Sequence, residues 1–316
     1  MGRFYLSKRT RDDIKKAIPY FEKATELDPN YASAYSTLAG ALLLLTDSSF
    51  AGSPRDVERS RIESAINNAI KLDPDSHEAH ASKGFLLASY DWDLEAAIEN
   101  YDRSIKINPN DALTRNWKAW SLIAQKRFDE AMVEMKAARN IDPASRIIAA
   151  EAGLPLLFAG KLAEAEPLFR EAVEMDSNFY QARYRLWYLL FVSGRHKESE
   201  MELQAMRQLT SDEDPFSLGL KASTLAQTGN QTEARKILSH LEKEFESGNR
   251  VSPMLLASVA TLINEPERAK RWLETALAEQ NDYLLYLEIA PEYKPLQLEP
   301  WFEDFVKRIK NGPKGS

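Results

Sequence analysis

The 316-residue sequence predicts an all-α solenoid, a right-handed superhelix of about eight helix–turn–helix repeats. Similar strings recur along the chain, as in KAIPYFEKATELDPNY and AAIENYDRSIKINPND. The prolines that end four such strings are spaced by 45, 35 and 34 residues, at Pro29, Pro74, Pro109 and Pro143. A unit of about 34 residues that ends in proline is typical of helix pairs that stack on their neighbours. The repetition therefore predicts many local cores rather than one central core.

Each repeat is predicted to contain a first helix (helix A) and a second helix (helix B) that cross closely at a small residue. The small residue of helix A recurs in four successive repeats as Ala39, Gly84, Ala119 and Gly153. Helix B of the third repeat carries the small–x3–large–x2–small pattern Ala97, Tyr101, Ser104. Both patterns agree with the tetratricopeptide consensus W-x2-L-G-x2-Y, A-x3-F, P, and the chain resembles that family over most of its length.

Departures from the repeat set the predicted domain boundaries. The predicted order is a repeat array over 1–282, a C-terminal cap over 283–310 and a disordered tail over 311–316. Within the array, the longest proline spacing predicts an 11-residue insertion near 46–58. An irregular junction is predicted near 210–216, where TSDEDPF carries extra turn residues. Trp187 occupies the small-residue position of the sixth repeat, so that helix pair is predicted to be splayed or packed differently.

Three stretches resemble more narrowly the C-terminal repeat region of a group of bacterial regulators. They are the opening GRFYLSKRTRDDIKKAIPYFEKATELDPNYASAY, the turn YDWD at Tyr90–Asp93, and the ending YLLYLEIAPEYKPLQLEPWFEDFVKRI. In that group the repeats follow a winged-helix, adenylate cyclase or Ser/Thr kinase domain. The ending departs from the group, which usually carries LRSDP-F where this chain has LQLEPWF. The resemblance implies a sensory or regulatory module, and it transfers no catalytic or DNA-reading residue to this chain.

In a tetratricopeptide superhelix the A helices line the concave face, where ligands of the family generally bind. We project onto this face the residues beside the small crossing residue and those one turn earlier. The predicted partner-binding groove comprises Phe85, Leu113, Asn116, Trp120, Leu154, Gln181, Tyr184 and Tyr188. Aromatic anchors beside a few amides are the composition of protein-binding hot spots. The alternative interpretation is that the same aromatics fill the packing between repeats.

The expected ligand of this groove is a peptide, a helix or a partner domain. Chaperone-binding members of the family clamp a C-terminal carboxylate with Lys, Asn and Arg side chains. The projected positions carry no Lys or Arg. An acidic C-terminal tail of the chaperone type is therefore not the expected ligand.

Composition argues against several other classes of function. The 48 acidic and 41 basic side chains give a net charge of −7 without a basic block, which argues against direct nucleic-acid binding. The absence of cysteine excludes disulfides, thiolate metal sites and a cysteine nucleophile. It is compatible with the cytoplasm, which is slightly favoured, and with the periplasm. The longest apolar run, Leu38–Leu45, is far shorter than the roughly 20 residues of a membrane span.

Two clusters of titratable residues are assigned structural roles. HEAH at His77–His80 does not match the H-E-x-x-H zinc motif, and no set of three or four ligands accompanies it. Asp93 is predicted to cap the following helix, with Trp92 packed under the turn. Phosphate loops, nucleophile elbows and catalytic triad motifs are missing from the sequence. The sequence therefore predicts no metal, no cofactor and no catalytic residue.

The predicted function is non-catalytic recognition of a partner protein or peptide. The alternative is homo-oligomerisation through apolar groove or cap surfaces, with Leu284, Leu285, Trp301 and Phe302 as candidate contacts. An enzyme with a site assembled across repeats is a third class. Four histidines, no cysteine and the lack of a local motif disfavour it.

Overall fold

The computed structural model describes residues 1–7, 11–46, 55–210 and 214–313. All regular secondary structure in these ranges is helical, so the all-α prediction is confirmed. The chain divides into two compact units, Met1–Ser121 (unit 1) and Leu122–Ser316 (unit 2).

The helices of unit 1 run from the start of the chain to the unit boundary. They are α1 (Gly2–Ser7), α2 (Arg11–Leu27), α3 (Ala32–Thr46), α4 (Arg55–Leu72), α5 (His77–Leu86), α6 (Leu94–Ile107) and α7 (Ala112–Ala124). The last of these continues past the boundary. The largest core cluster of the unit lies among α2, α3 and α4, where aliphatic residues such as Ile14, Leu42 and Ile62 are fully buried.

The helices of unit 2 continue the alternation. They are α8 (Phe128–Ile141), α9 (Arg146–Glu151), α10 (Leu154–Phe158), α11 (Leu162–Met175), α12 (Tyr180–Val192), α13 (His196–Arg207), α14 (Pro215–Gln227), α15 (Gln231–Glu246), α16 (Pro253–Leu262), α17 (Pro266–Ala278) and α18 (Phe302–Lys310). Between α17 and α18 lie two 3₁₀ segments, Asp282–Tyr286 and Pro291–Leu298. In chain order the helices of the described ranges form eight A–B pairs, followed by these segments and α18.

The fifth helix A is divided into α9 and α10. Pro155 accounts for the break, because it lacks an N–H and its ring would clash with the carbonyl group four residues earlier. That carbonyl belongs to Glu151, the residue at which α9 ends. The sequence analysis did not predict this interruption.

The close crossing of helices A and B at small residues is confirmed at two positions. A Cβ atom on Gly84 would lie 2.6 Å from Cε1 of Tyr101 on α6. A Cβ atom on Gly153 would lie 2.8 Å from Cζ of Phe169 on α11. The aromatic residue of helix B therefore occupies the space that a side chain on helix A would need. In the sixth pair, α12 and α13 pack against each other while Trp187 is buried.

The extra residue of the third repeat is accommodated by a π-helical turn, Leu87–Asp91, which follows α5. A π turn accommodates one more residue than an α-turn. The turn ends at Trp92, which is buried and has a left-handed backbone with φ of 57°. Asp93 then accepts a hydrogen bond from the backbone N–H of Ala96 at 3.0 Å. The predicted N-cap at Asp93 and the predicted burial of Trp92 are both confirmed.

Some predicted departures fall outside the part of the chain that the structure describes. The insertion predicted near 46–58 falls largely on residues 47–54, and the junction predicted near 210–216 includes residues 211–213. Residues 314–316 of the predicted tail also lie outside it. The closing helix predicted after Pro300 is confirmed as α18.

Candidate partner-binding site

The eight predicted groove residues are divided between the two units. Four of them, Phe85, Leu113, Asn116 and Trp120, belong to unit 1. The other four, Leu154, Gln181, Tyr184 and Tyr188, belong to unit 2.

The groove residues of unit 1 lie on α5 and α7. Phe85 is half-buried, packs against the core of α2, α3 and α4, and lies 5.0 Å from the ring of Trp117 in an edge-to-face contact. Leu113 and Trp120 are half-buried, whereas Asn116 is only 2% exposed. Phe85 therefore packs between repeats, and Leu113 and Trp120 retain accessible surface. Trp117 is half-buried as well, and the sequence projection did not include it.

The groove residues of unit 2 lie on α10 and α12. Gln181 and Tyr184 are half-buried, Tyr188 is 7% exposed and Leu154 is fully buried. In this conformation Leu154 offers no surface to a partner. The sequence projection also missed Phe158, which is half-buried one helical turn after Leu154 on the same side of its helix.

The side chains of Phe158, Tyr184, Trp187 and Tyr188 form a continuous set of ring contacts, here called the aromatic face. Tyr184 stacks on Trp187 at 5.9 Å and on Tyr188 at 6.4 Å between ring centroids. The ring of Phe158 lies 6.5 Å from that of Tyr188. Residues three and four apart on a helix are neighbours, which explains why three of these rings meet on α12.

The aromatic face is in contact with the chain's own residues Asp282–Leu298, here called the closing segment. Tyr286 stacks on Phe158 at 6.0 Å with an interplanar angle of 26°. The hydroxyl of Tyr188 donates a hydrogen bond to Oε2 of Glu292 at 2.5 Å. The hydroxyl of Tyr293 donates to the backbone carbonyl of Met254 at 2.7 Å. The sequence had no local signal for these contacts, because Tyr188 and Glu292 are 104 residues apart.

Two carboxylates of the closing segment are in different electrostatic environments. Loss of solvent raises the pKa of the Glu292 carboxyl above its ordinary value, and the hydrogen bond from Tyr188 offsets this only in part. Burial likewise raises the pKa of Tyr188, so its hydroxyl stays protonated and acts as the donor. Burial would also raise the pKa of Glu288, but ion pairs with Lys310 at 2.7 Å and Lys126 at 3.4 Å outweigh it and hold this pKa below its ordinary value.

Family profiles described as tetratricopeptide repeat match residues 8–31, 85–145 and 151–217. The matched ranges contain α2, α6–α8 and α10–α13 in full, and they include the crossing at Gly153 but begin one residue after Gly84. The chain is a tetratricopeptide-repeat protein. No curated protein sequence matches it significantly.

Solved structures of other tetratricopeptide-repeat proteins share the fold at low sequence identity. A chain of the APC/C heterotetramer Cut9–Hcn1 has a TM-score of 0.62 at 15% identity, covering 97% of this chain and 54% of that one. A tetratricopeptide repeat protein from Parabacteroides merdae has a TM-score of 0.56 at 16% identity, covering 77% and 93%. Yeast Tom70 has a TM-score of 0.55 at 16% identity, covering 95% and 62%. Tetratricopeptide arrays are in general protein–protein interaction scaffolds, and this chain has that fold.

The histidines of the HEAH motif have structural partners in this tetratricopeptide-repeat protein. Nε2 of His80 lies 2.9 Å from the backbone carbonyl of Pro74, and the His80 ring is buried. Nδ1 of His77 lies 3.4 Å from a carboxylate oxygen of Asp111. Among the described residues, no group of three or more His, Asp or Glu side chains is arranged to hold a metal ion. None of the helices in those ranges combines the length and apolarity needed to cross a membrane.

Proposed function

We propose that this protein is a non-catalytic recognition module that binds a segment of a partner protein through A-helix aromatic side chains. The observation that supports the proposal most directly is the contact between the aromatic face and the closing segment. There, a stretch outside the helix pairs is held by ring stacking on Phe158 and by a hydrogen bond from Tyr188. A partner segment would be held by the same kinds of contact.

In unit 1 the proposed contacts are the half-buried side chains of Leu113 and Trp120. A large aromatic side chain with partial exposure is the typical anchor of a protein interface. The alternative of self-association through the cap has less support. Leu284 is 1% exposed and Phe302 is 6% exposed, so neither offers a surface to a second copy in this conformation. Leu285 and Trp301 are half-buried and are the two named cap residues that retain accessible surface.

The proposal is tested by selecting binding peptides from a displayed random library against the wild-type chain. Affinities of the selected peptides are then measured for Trp120→Ala and for a control, Val133→Ala. Val133 is apolar and 65% exposed on a B helix, α8, so its truncation leaves the A-helix surface intact. At a binding hot spot, Trp120→Ala should cost about 2 kcal/mol of affinity, whereas the control should cost almost none.

A urea unfolding experiment on the same variants distinguishes binding from packing. A core tryptophan would lose about 3–5 kcal/mol of unfolding free energy on truncation. If Trp120→Ala loses that stability and yet retains the selected peptides, Trp120 is a packing residue. If the library yields no peptide that binds the wild-type chain, the recognition proposal fails.

The second part of the proposal is that recognition is passed to an attached regulatory domain. The resemblance of the opening, the YDWD turn and the ending to bacterial regulators supports it. An immunoblot of the source cell with an antibody against residues 1–316 tests it. A native polypeptide larger than these 316 residues by at least one domain is expected, and a band of their size alone would contradict this part.

A further inference from the structure

We propose that the closing segment is an internal ligand of the aromatic face, and that the partner segment which this face accepts carries the same order of acidic and aromatic residues. This inference rests on the function proposed above and names the chemistry of its partner. The partner is a protein segment that exchanges with residues Asp282–Leu298.

The order of the internal ligand is Y-x-E-x3-E-Y, given by Tyr286, Glu288, Glu292 and Tyr293. Each of these four side chains has its own receiving group on the repeats of unit 2. In the same order, the receiving groups are the ring of Phe158, the amine of Lys126, the hydroxyl of Tyr188 and the carbonyl of Met254. Glu288 has a second and closer cation, Lys310 on α18, which lies outside the repeats. Four separate receivers in a fixed order constitute a recognition pattern rather than a diffuse apolar contact.

The charges of the receiving groups select the chemistry of the partner. Lys126 is a cation, and protonated Tyr188 offers a hydroxyl donor to the carboxylate. A carboxylate is the best acceptor for both, because hydrogen bonds to charged groups are stronger than those between neutral groups. A basic segment would place its ammonium groups against Lys126 and would be rejected.

The closing segment has the properties of a peptide rather than of a repeat. It consists of two 3₁₀ segments with prolines at Pro291 and Pro295, whereas every repeat contains paired helices. 3₁₀ helices occur as short connecting pieces that need no long helix around them, so a partner peptide can adopt them on binding. An incoming segment with the same order of acidic and aromatic residues covers the surface that the closing segment uncovers when it leaves. Exchange therefore does not leave the aromatic face exposed to water.

One feature opposes permanent docking of the internal ligand. Docking removes solvent from the carboxyl group of Glu292, which accepts one side-chain hydrogen bond among the described residues, from Tyr188, and this burial raises the pKa of the carboxyl. Release of the segment returns that carboxyl to water. In addition, Tyr286, Glu288 and Glu292 are half-buried, whereas Tyr293 is 4% exposed, so an incoming segment can reach the first three side chains before Tyr293 is released.

The experiment uses the full chain and a fluorescent synthetic peptide with the sequence of residues 282–298. The internal ligand is weakened in cis by Tyr286→Ala/Glu292→Ala, which leaves the receiving groups intact. We expect the peptide to bind this variant at least about tenfold more tightly than it binds the wild-type chain. A control peptide in which Glu288 and Glu292 are both replaced by Gln should bind about tenfold more weakly than the natural peptide.

The proposal is overturned if the variant keeps the circular dichroism spectrum of the wild type but does not bind the peptide. Equal affinity for the variant and the wild type would overturn it as well. If the variant does not fold, hydrogen exchange of the wild-type chain tests the proposal instead. Backbone amides of Leu284, Leu287 and Tyr293 should exchange by local opening, faster than the amides of α12 and α16. Equal protection of all three elements would mean that the segment never leaves, and would contradict the proposal.

Failure of this inference is distinguishable from failure of the proposed function. Library peptides that lose their affinity in Phe158→Ala, lack the acid–aromatic order and are not displaced by the 282–298 peptide would refute the internal ligand. They would leave the recognition function standing.

Discussion

A single methyl group decides whether helices A and B can cross. At Gly84, an added Cβ atom would lie 2.6 Å from the Tyr101 ring and 3.0 Å from the carbonyl oxygen of Ala97. The ring cannot move easily, because Tyr101 is almost fully buried, and the carbonyl belongs to the helix backbone. The tetratricopeptide pattern at this position therefore reflects a steric requirement rather than a helix preference.

Gly84→Ala should destabilise the chain by about 1–3 kcal/mol, because overpacking forces side chains and backbone to shift. The matched control is Gly40→Ala in α3, where the nearest atom to an added Cβ, Oγ of Ser82, is 3.9 Å away. Alanine is the better helix former by about 0.5–1 kcal/mol, so the control should be neutral or stabilised. Urea unfolding monitored by circular dichroism measures both. Equal effects at the two positions would contradict the steric account.

At the scale of elements, neighbouring B helices are connected by buried ion pairs. Glu242 on α15 is 8% exposed and accepts hydrogen bonds from Nε of Arg268 at 2.8 Å and Nε1 of Trp272 at 2.7 Å, both on α17. Burial alone would raise the pKa of Glu242, but these hydrogen bonds outweigh it and hold the pKa below the ordinary 4.5. The ionised carboxylate therefore helps to hold α15 against α17.

Glu242→Gln should lower the unfolding free energy by about 2 kcal/mol at neutral pH, because it leaves buried donors without their charged acceptor. The folded pKa lies below the unfolded one, so this stabilisation is present above about pH 4.5 and is lost as the pH falls through the folded pKa. The difference in unfolding free energy between Glu242→Gln and the wild type should therefore become smaller at acidic pH. Unfolding curves between pH 7 and 3, with exposed Glu246→Gln as control, measure it. A difference that stays constant with pH would refute the role of the charge.

The elements that the sequence predicted are those defined by local patterns. The small residues, the spaced prolines and Asp93 act within one repeat, so the helix pairs and the N-cap could be predicted from neighbouring residues. Local residues also carried signals that the prediction did not use. Pro155 divides the fifth helix A, and Phe158 lies one turn after the projected Leu154.

At the scale of the whole molecule, the two units differ in how far apart in sequence their contacting residues lie. In unit 1 the hydroxyl of Tyr90 donates to Thr46, 44 residues away. In unit 2, Lys126 and Glu288 pair across 162 residues. Periodicity describes contacts between neighbouring repeats, so it cannot indicate where a non-repeating segment docks. For this reason the sequence predicted a surface rich in aromatic residues but not the segment that covers part of it.

The long-range contacts of unit 2 should determine which helices are destabilised by a substitution elsewhere in the unit. In a simple repeat array a perturbation stays with its nearest neighbours. Gly153→Ala, which forces a clash with Phe169, should raise hydrogen exchange in α9–α12 and also in the closing segment. Helix α15, one repeat beyond α12 and α13, should respond less, because the stacking of Tyr286 on Phe158 bypasses it. Mass-spectrometric exchange on the intact chain measures this. A response in α15 as large as that of the closing segment would rule out the bypass.

The separation between Tyr188 and Glu292 also has a consequence during synthesis. A ribosome that adds roughly 5–20 residues per second needs about 5–20 s to make the 104 residues between them. Throughout that interval the nascent chain presents Phe158 and Tyr188 without Tyr286 or Glu292. Hydrophobic surface that is exposed on a growing chain is a substrate for chaperones and a site of aggregation. The last residues to be translated thus determine when the chain's most aromatic region becomes protected, and a message that ends early would yield a polypeptide whose aromatic face stays open.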